Sequence, residues 1–143
     1  MDILGAMNIG YSALRAQTIR LNVIGSNLAN METTRTPEGG PYRKKSVVFS
    51  ADQGGFDRHL EESTRQQGQG VRVQQIMTHD AEVKRVYEPS HPDADNEGYV
   101  QKPDISLVEQ MTDMMKARGS YEANVTTIKA AQRMAVKALE IGR

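Results

Sequence analysis

The spacing of apolar residues predicts two long helices, one at each end of the chain. Between residues 3 and 31 apolar side chains recur at heptad spacing, which is typical of a helix with a coiled-coil-like seam. The main row contains Met7, Leu14, Leu21 and Leu28, and a second row contains Ile3, Ile24 and Met31, interrupted by Gly10 and Gln17. A third stripe of Ile9, Ala16 and Val23 predicts that this helix touches more than one partner.

The C-terminal part of the chain repeats this arrangement. Asp104 follows Pro103 and is predicted to cap a second helix, which then continues to the end of the chain. One heptad row contains Leu107, Met114, Tyr121, Ile128 and Ala135, and the adjacent row contains Met111, Val125 and Leu139 with Arg118 and Gln132 among them. This seam is rich in Met and Ala, so the helices can approach closely while each chain buries little apolar area on its own.

Residues 32–103 have the pattern of a small β-rich insert. The turn cluster PEGGPY precedes the short run SVVF, and two further runs, GQGVRVQQIM and AEVKRVYEP, are predicted to be strands. Residues 51–70 are polar and weakly patterned, which predicts a flexible loop. The sequence therefore predicts an α+β fold in the order helix, β-rich insert, helix, with boundaries at 1–31, 32–103 and 104–143.

Composition argues against several classes of function. The 143 residues contain 18 Lys and Arg and 18 Asp and Glu, so no net charge draws the chain to nucleic acid or to an anionic membrane. The absence of cysteine excludes disulfides and thiolate metal sites. The segment MDILGAMNIG has no basic region before an apolar stretch, so neither a Sec-type signal nor a membrane span is expected.

The segment HPDADNEGYVQKPD is the strongest candidate for a metal site. Asp93, Asp95 and Glu97 alternate ahead of Gly98, and Asp104 stands at the twelfth position of an EF-hand-like count. A functional loop of that type requires an entering helix, whereas prolines precede this segment. A turn capped by its own side chains is therefore the preferred interpretation.

The remaining residues show no pattern of a catalytic or cofactor site. Three scattered histidines lack partners at the spacing that zinc requires, and no serine or threonine stands in a nucleophile motif. The one basic run, Arg43, Lys44 and Lys45, is expected to lie at a solvated strand edge or to pair with a neighbour's carboxylates. The sequence predicts a chain that is not an enzyme and that has no cofactor.

Four short segments stand in a recognisable order: SNLAN at 26–30, GGPYRKK at 39–45, HPDAD at 91–95 and ALEIGR at 138–143. SNLAN is similar to the signature of flagellar axial proteins of the rod and hook. The other three segments resemble, more narrowly, the small proximal-rod proteins of the bacterial flagellar basal body. The resemblance covers nearly the whole chain and is weakest over residues 51–70.

This resemblance implies a structural subunit of the proximal rod. Such a subunit is exported unfolded through the flagellar type III export apparatus, without a cleaved signal peptide. It assembles with copies of itself and with neighbouring rod proteins into a tubular drive shaft that spans the periplasm. Its terminal helices pair as an inner helical layer around the export channel, and the insert forms an outer domain.

The resemblance also suggests a role for SNLAN. Ser26, Asn27 and Asn30 are unfavourable in the interior of a helix, since their short polar side chains compete for backbone hydrogen bonds. They are expected to bond a neighbouring backbone or cap a turn while Leu28 and Ala29 pack inward, and SYEANV at 120–125 is expected to play the facing part. Contact between subunits or helices, and plain packing within one chain, both remain open. The predicted assembly contacts are Met7, Leu14, Leu21, Ser26, Asn27, Leu28, Ala29, Asn30, Met111, Met114, Tyr121, Glu122, Asn124, Val125, Ile128 and Leu139.

Three other interpretations compete with this one. Another flagellar axial subunit would share the same signature, although a short insert suits a proximal-rod protein better. A soluble helical adaptor would use two amphipathic helices to bind one partner and would form a closed complex. A calcium-binding module would depend on the HPDAD segment.

Overall fold

A computed structural model of the chain describes residues 3–52, 70–80 and 83–142. The elements follow in the order α1 (Ile3–Ala29), β1 (Lys45–Asp52), β2 (Gly70–Thr78), β3 (Val83–Tyr87), β4 (Tyr99–Pro103) and α2 (Leu107–Ile141). Within the described residues the strands form two antiparallel pairs, β1–β2 and β3–β4. The predicted α+β plan, two long helices with a small β-rich insert between them, is confirmed.

The two helices pack against each other in antiparallel orientation. Asn27, near the end of α1, is hydrogen-bonded to Gln110 near the start of α2. Gly10, near the beginning of α1, lies against Ile128 far along α2. The chain thus folds back on itself, and small residues such as Ala117, which is fully buried, allow the two backbones to approach closely.

The innermost row of α2 differs from the rows that the apolar pattern indicated. The row that faces α1 contains buried Gln110, Ala117 and Ala131 and half-buried Asn124. In the predicted rows Met114, Ile128 and Ala135 are half-buried beside this row, whereas Leu107, Met111 and Leu139 are exposed. The prediction of which residues form the innermost seam was therefore wrong, because closely spaced backbones select small side chains over large ones.

A second side of α1 is covered by the β1–β2 hairpin. Lys45, at the start of β1, bonds to Asn27, and the backbone N–H of Val71 in β2 donates to Ser12 Oγ over 3.0 Å. The prediction that α1 touches more than one partner is confirmed, since it packs against α2 and against both strands. Of the predicted loop over 51–70, the ends belong to β1 and β2, and residues 53–69 lie outside the described residues.

The β3–β4 pair leads directly into α2. Strand β4 had no counterpart in the sequence prediction, and its Val100 is almost completely buried. The predicted cap at Asp104 was wrong: Ser106 is the N-cap, and its hydroxyl accepts a bond from the backbone N–H of Glu109. The helix begins later because Pro103 still belongs to β4 and Ile105 is buried in the connection.

Candidate assembly interface

Asn27 of SNLAN lies at the centre of a buried polar cluster that joins three elements. Its side-chain amide Nδ2 donates to the Lys45 carbonyl over 2.8 Å and to Gln110 Oε1 over 3.1 Å. Its Oδ1 accepts from the Lys45 backbone N–H over 2.9 Å and from the Tyr42 hydroxyl over 3.1 Å. Both donors and both acceptor directions of this amide are therefore used. We call Asn27, Tyr42, Lys45 and Gln110 the polar clasp.

The side chains of Asn27, Tyr42 and Gln110 are buried, whereas Lys45 joins the clasp through its backbone groups. Asn27 is 1% exposed and Gln110 is 2% exposed, so each lost bond would leave a buried polar atom without water to replace it. Since the Tyr42 hydroxyl donates to Asn27, the Ser26 hydroxyl 3.2 Å away serves as donor to Tyr42. The clasp fixes the end of α1, the start of β1 and the start of α2 to one another.

Asn30, the last residue of SNLAN, caps the end of α1. Asn30 Nδ2 donates to the Ser26 carbonyl over 2.9 Å, and Asn30 Oδ1 accepts from the Thr33 hydroxyl. Helix α1 thus ends within SNLAN, as predicted, on side-chain bonds rather than on glycine. Within the chain Leu28 is half-buried and Ala29 is exposed, so the inward packing of Ala29 stays a prediction for the assembled subunit.

The SYEANV segment does not face SNLAN within one chain. The antiparallel register places SYEANV beside the middle of α1, and Gln110 occupies the position next to SNLAN. Asn124 and Val125 are half-buried, Tyr121 is 36% exposed, and Glu122 pairs with Arg118 on the surface. Its outward residues remain available to another molecule.

The predicted contact residues separate into a covered group and an exposed group. Those that are half-buried or buried within the chain are Met7, Leu14, Leu21, Ser26, Asn27, Leu28, Asn30, Met114, Asn124, Val125 and Ile128. The exposed ones are Ala29, Met111, Tyr121, Glu122 and Leu139. Sequence reasoning did not identify Tyr42 and Gln110, although Gln110 begins the heptad row of Ala117, Asn124 and Ala131.

Helix α2 offers the largest uncovered apolar surface in the described part of the chain. Helix α1 is the only described element that packs against it. Large side chains are exposed on its other sides: Val108, Met111, Met115, Met134, Val136, Leu139 and Ile141. An exposed apolar face of this extent is typical of a protein interface.

The HPDAD segment forms a capped turn. Asp95 Oδ1 accepts bonds from the backbone N–H groups of Glu97 and Tyr99, and Asp95 Oδ2 pairs with Arg85. Gly98 follows with a φ of +82°, a left-handed conformation that suits glycine. The turn interpretation is confirmed. Among the described residues no group of three or more His, Asp or Glu side chains is placed to hold a metal ion.

The basic run and its surroundings pair with carboxylates and carbonyls. Lys44 Nζ lies 3.5 Å from Glu109 Oε1, Lys45 opens β1, and Arg43 donates to the Asp80 carbonyl. Lys45 thus lies at the start of a strand and Lys44 pairs with a carboxylate of the same chain, while pairing with a neighbour's carboxylates stays a prediction. No helix in the described residues is long and apolar enough to span a membrane.

Lys102 in β4 links the β3–β4 pair to the segment that follows α1 through two ion pairs. Its ammonium lies 2.7 Å from Glu88 and 3.2 Å from Glu32. The hydrogen bond from Lys102 holds the pKa of Glu88 below its ordinary value, and the bond to Glu88 raises the pKa of Lys102. The backbone N–H of Tyr99 similarly lowers the pKa of Asp95.

These lowered pKa values predict that acid weakens the β3–β4 part of the fold. The folded chain stabilises the deprotonated forms of Glu88 and Asp95 more than the unfolded chain does. Their stabilising contribution is therefore complete above the ordinary pKa values of 4.5 and 3.8 and is lost as the pH falls through the lowered folded values. Urea unfolding from neutral to acidic pH measures this loss.

Glu88→Gln provides the control for this pH dependence. The variant cannot titrate at residue 88, so its free energy of unfolding is expected to fall less steeply in acid than that of the unsubstituted chain. An identical acid-dependent loss in both chains would show that the Glu88–Lys102 bond does not contribute to it.

Comparisons with known proteins identify the family of this chain. Residues 7–35 match the family described as flagella basal body rod protein, and residues 96–141 match the family described as flagellar basal body rod FlgEFG protein C-terminal. The flagellar basal-body rod protein FlgC of Bacillus subtilis (strain 168) is 41% identical over 150 residues, covering 100% of both chains. The chain belongs to the FlgC family. The FlgC of Salmonella typhimurium is 39% identical over 143 residues, again covering 100% of both chains.

The FlgC family assignment confirms the resemblance seen in the four short segments. A third relative, the FlgC of Borreliella burgdorferi, is 39% identical over 152 residues and covers 99% of this chain and 98% of its own. The first matched region contains Asn27 and the second contains Gln110. The other two clasp residues, Tyr42 and Lys45, lie between the matched regions. The helix pair is thus the part of the chain that the family descriptions match.

Proposed function

We infer that this chain is a structural subunit of the rod of the bacterial flagellar basal body, and we propose that its role is mechanical rather than enzymatic. The observation that carries this inference is the full-length similarity to rod proteins of the FlgC family. The helix pair with its uncovered α2 face supports it, because a subunit of a shaft requires surfaces for neighbours on several sides.

We propose that the chain assembles with copies of itself and with neighbouring rod proteins. The helical arms over 1–31 and 104–143 form an inner layer around the export channel, and residues 32–103 form the outer domain. Contacts between different surfaces of successive subunits generate an open array rather than a closed dimer. Met111, Tyr121 and Leu139, which are 51%, 36% and 76% exposed, are available for such contacts.

We further propose that the subunit reaches the rod by the flagellar type III export apparatus and lies in the rod across the periplasm as part of its proximal section. The two terminal helices are suited to passage through a narrow channel, because the clasp holds them together at only one end. At the other end Leu139 and Ile141 are 76% and 84% exposed. Neighbouring subunits would supply the missing apolar surface when the chain docks.

Hydrogen exchange tests this proposal. In the purified chain the last turns of α2, beyond the buried Ala131, are expected to exchange rapidly, whereas residues beside Asn27 and Gln110 exchange more slowly. In basal bodies that contain the same chain, both helices are expected to be protected along their whole length.

Two results would contradict the proposal. Full protection of both helices in a cooperative, closed dimer of the purified chain would favour a self-sufficient helical adaptor. Failure of the chain to enter basal bodies in cells that lack their own rod protein of this family would contradict the rod function itself.

A further inference from the structure

Two exposed methionines lie close together near the start of helix α2. Met111 is 51% exposed and Met115 is 66% exposed. They are four residues apart on one helix, so their side chains are neighbours on its surface. Val108, which is 74% exposed, lies three residues before Met111 on the same side. We call Val108, Met111 and Met115 the methionine patch. Side chains as exposed as these place their thioether sulfur atoms within reach of small solutes.

Met114 is next to Met115 in the sequence but has different surroundings. One residue corresponds to a turn of about 100° around an α-helix, so the two side chains leave the helix in different directions. Met114 is half-buried beside the row that packs against α1, whereas Met115 is exposed. The chain thus contains two adjacent thioethers of the same chemistry and different access to solvent.

Methionine supplies all the sulfur in this chain, because the chain contains no cysteine. Hydrogen peroxide oxidises a thioether by transferring one oxygen atom to the sulfur. A sulfur–oxygen bond forms and the oxygen–oxygen bond breaks, the sulfur loses two electrons, and the peroxide is reduced to water. The product, methionine sulfoxide, is polar where methionine is apolar. No thiolate of this chain competes with the methionines for the oxidant.

We propose that Met111 and Met115 are modification sites at which a peroxide-type oxidant forms methionine sulfoxide, and that this modification prevents the unassembled subunit from docking. The proposal rests on the rod function and adds a chemical control of assembly to it. When a neighbouring subunit covers the methionine patch, a sulfoxide oxygen there loses its hydration, and the patch itself has no side-chain donor to replace water. In the free chain the same oxygen stays hydrated, so the fold is unaffected.

Limited oxidation of the purified chain with hydrogen peroxide tests the assignment of the sites. Mass spectrometry with peptide fragmentation measures the conversion of each methionine. Met111 and Met115 are expected to be oxidised several-fold faster than Met114, which is the matched control within the same chain. Urea unfolding of the oxidised chain is expected to give the same free energy as that of the untreated chain. Equal rates of oxidation at Met114 and Met115 would overturn the assignment.

Two double variants separate the loss of the sulfur atoms from the loss of apolar surface. Met111→Gln with Met115→Gln imitates the polarity of the sulfoxide. In cells that lack their own rod protein of this family, it is expected to lower incorporation into basal bodies roughly tenfold, with unchanged helicity by circular dichroism. Met111→Leu with Met115→Leu keeps the patch apolar without an oxidisable sulfur, so normal incorporation is expected.

Sublethal hydrogen peroxide then distinguishes the leucine variant from the unsubstituted chain. The leucine variant is expected to keep its incorporation into basal bodies, whereas the unsubstituted chain loses it. Met77 and Met134, which are also exposed, are the same in both chains. Oxidation of these residues and of other cell components therefore affects both chains alike, and a difference between them comes from the methionine patch.

Three outcomes in cells would overturn the proposal. These are normal incorporation of the glutamine variant, poor incorporation of the leucine variant without peroxide, and equal loss of the leucine variant and the unsubstituted chain with peroxide. The unsubstituted chain in untreated cells reports the rod function separately. If it enters basal bodies while any of these outcomes is found, the oxidation proposal is wrong and the rod function stands. If it does not enter, the rod function is wrong.

Discussion

Asn27→Leu is expected to lower the free energy of unfolding of the chain by about 3 kcal/mol, since it leaves several buried polar atoms of the clasp without partners. Leucine is close to asparagine in size but can neither donate nor accept a hydrogen bond. The substitution removes bonds to Lys45, Tyr42 and Gln110 at once. Urea unfolding, followed by circular dichroism, measures the change.

Asn22→Leu is the matched control, because Asn22 is an exposed asparagine on the same helix. It is expected to change the free energy of unfolding by less than about 0.5 kcal/mol. Asn27→Asp is expected to be nearly as damaging as Asn27→Leu, since a carboxylate keeps the acceptors but loses both donors. Equal stability of the Asn22→Leu and Asn27→Leu chains would show that the clasp does not hold the fold together.

The fold class could be predicted from the sequence because heptad spacing is a local signal. Helix α1 begins at Ile3 as the pattern indicated, and α2 continues to Ile141. Strand β3 lies within the predicted run 81–89, whereas β1 and β2 overlap the predicted runs 46–49 and 68–77 but extend beyond them, and β4 has no predicted counterpart. The sequence Tyr99–Pro103 is short and ends in proline, so only its pairing with β3 and the burial of Val100 define it as a strand.

The innermost row of α2 could not be predicted, because apolar periodicity identifies large side chains and not the separation of two helix axes. Ala117 and Ala131 are buried because α1 comes close, and Gly10 makes that approach possible. Which row of α2 is buried depends on its contacts with α1, and the sequence of α2 alone does not contain that information.

The role of SNLAN was only partly predictable. The poor fit of Asn27 to a helix interior indicated that its side chain serves a contact, and the structure gives that contact four bonds within the chain. With its donors and acceptors occupied in this way, Asn27 positions the helix pair relative to the β1–β2 hairpin. The Lys45 partner is a backbone group, which no residue pattern could reveal.

Gly10→Leu is expected to lower the free energy of unfolding by about 3 kcal/mol by forcing the two helices apart. A Cβ atom at this position would lie 2.7 Å from Ile128 Cγ1, well inside van der Waals contact. The gain in helix propensity over glycine, about 1 kcal/mol, offsets only part of this strain. We expect the same substitution to reduce incorporation into basal bodies, because the displaced α2 would present a different surface to neighbouring subunits.

Gly119→Leu is the matched control for this prediction, since no atom lies within 4 Å of a Cβ built at that helical position. It is expected to leave the stability unchanged or slightly higher. In an Ile128→Ala chain, where the clashing side chain is shortened, Gly10→Leu should cost at least 1 kcal/mol less than it does alone. If the cost is the same in both backgrounds, the destabilisation does not come from the Gly10–Ile128 contact, and the close approach of α1 and α2 is not what selects glycine there.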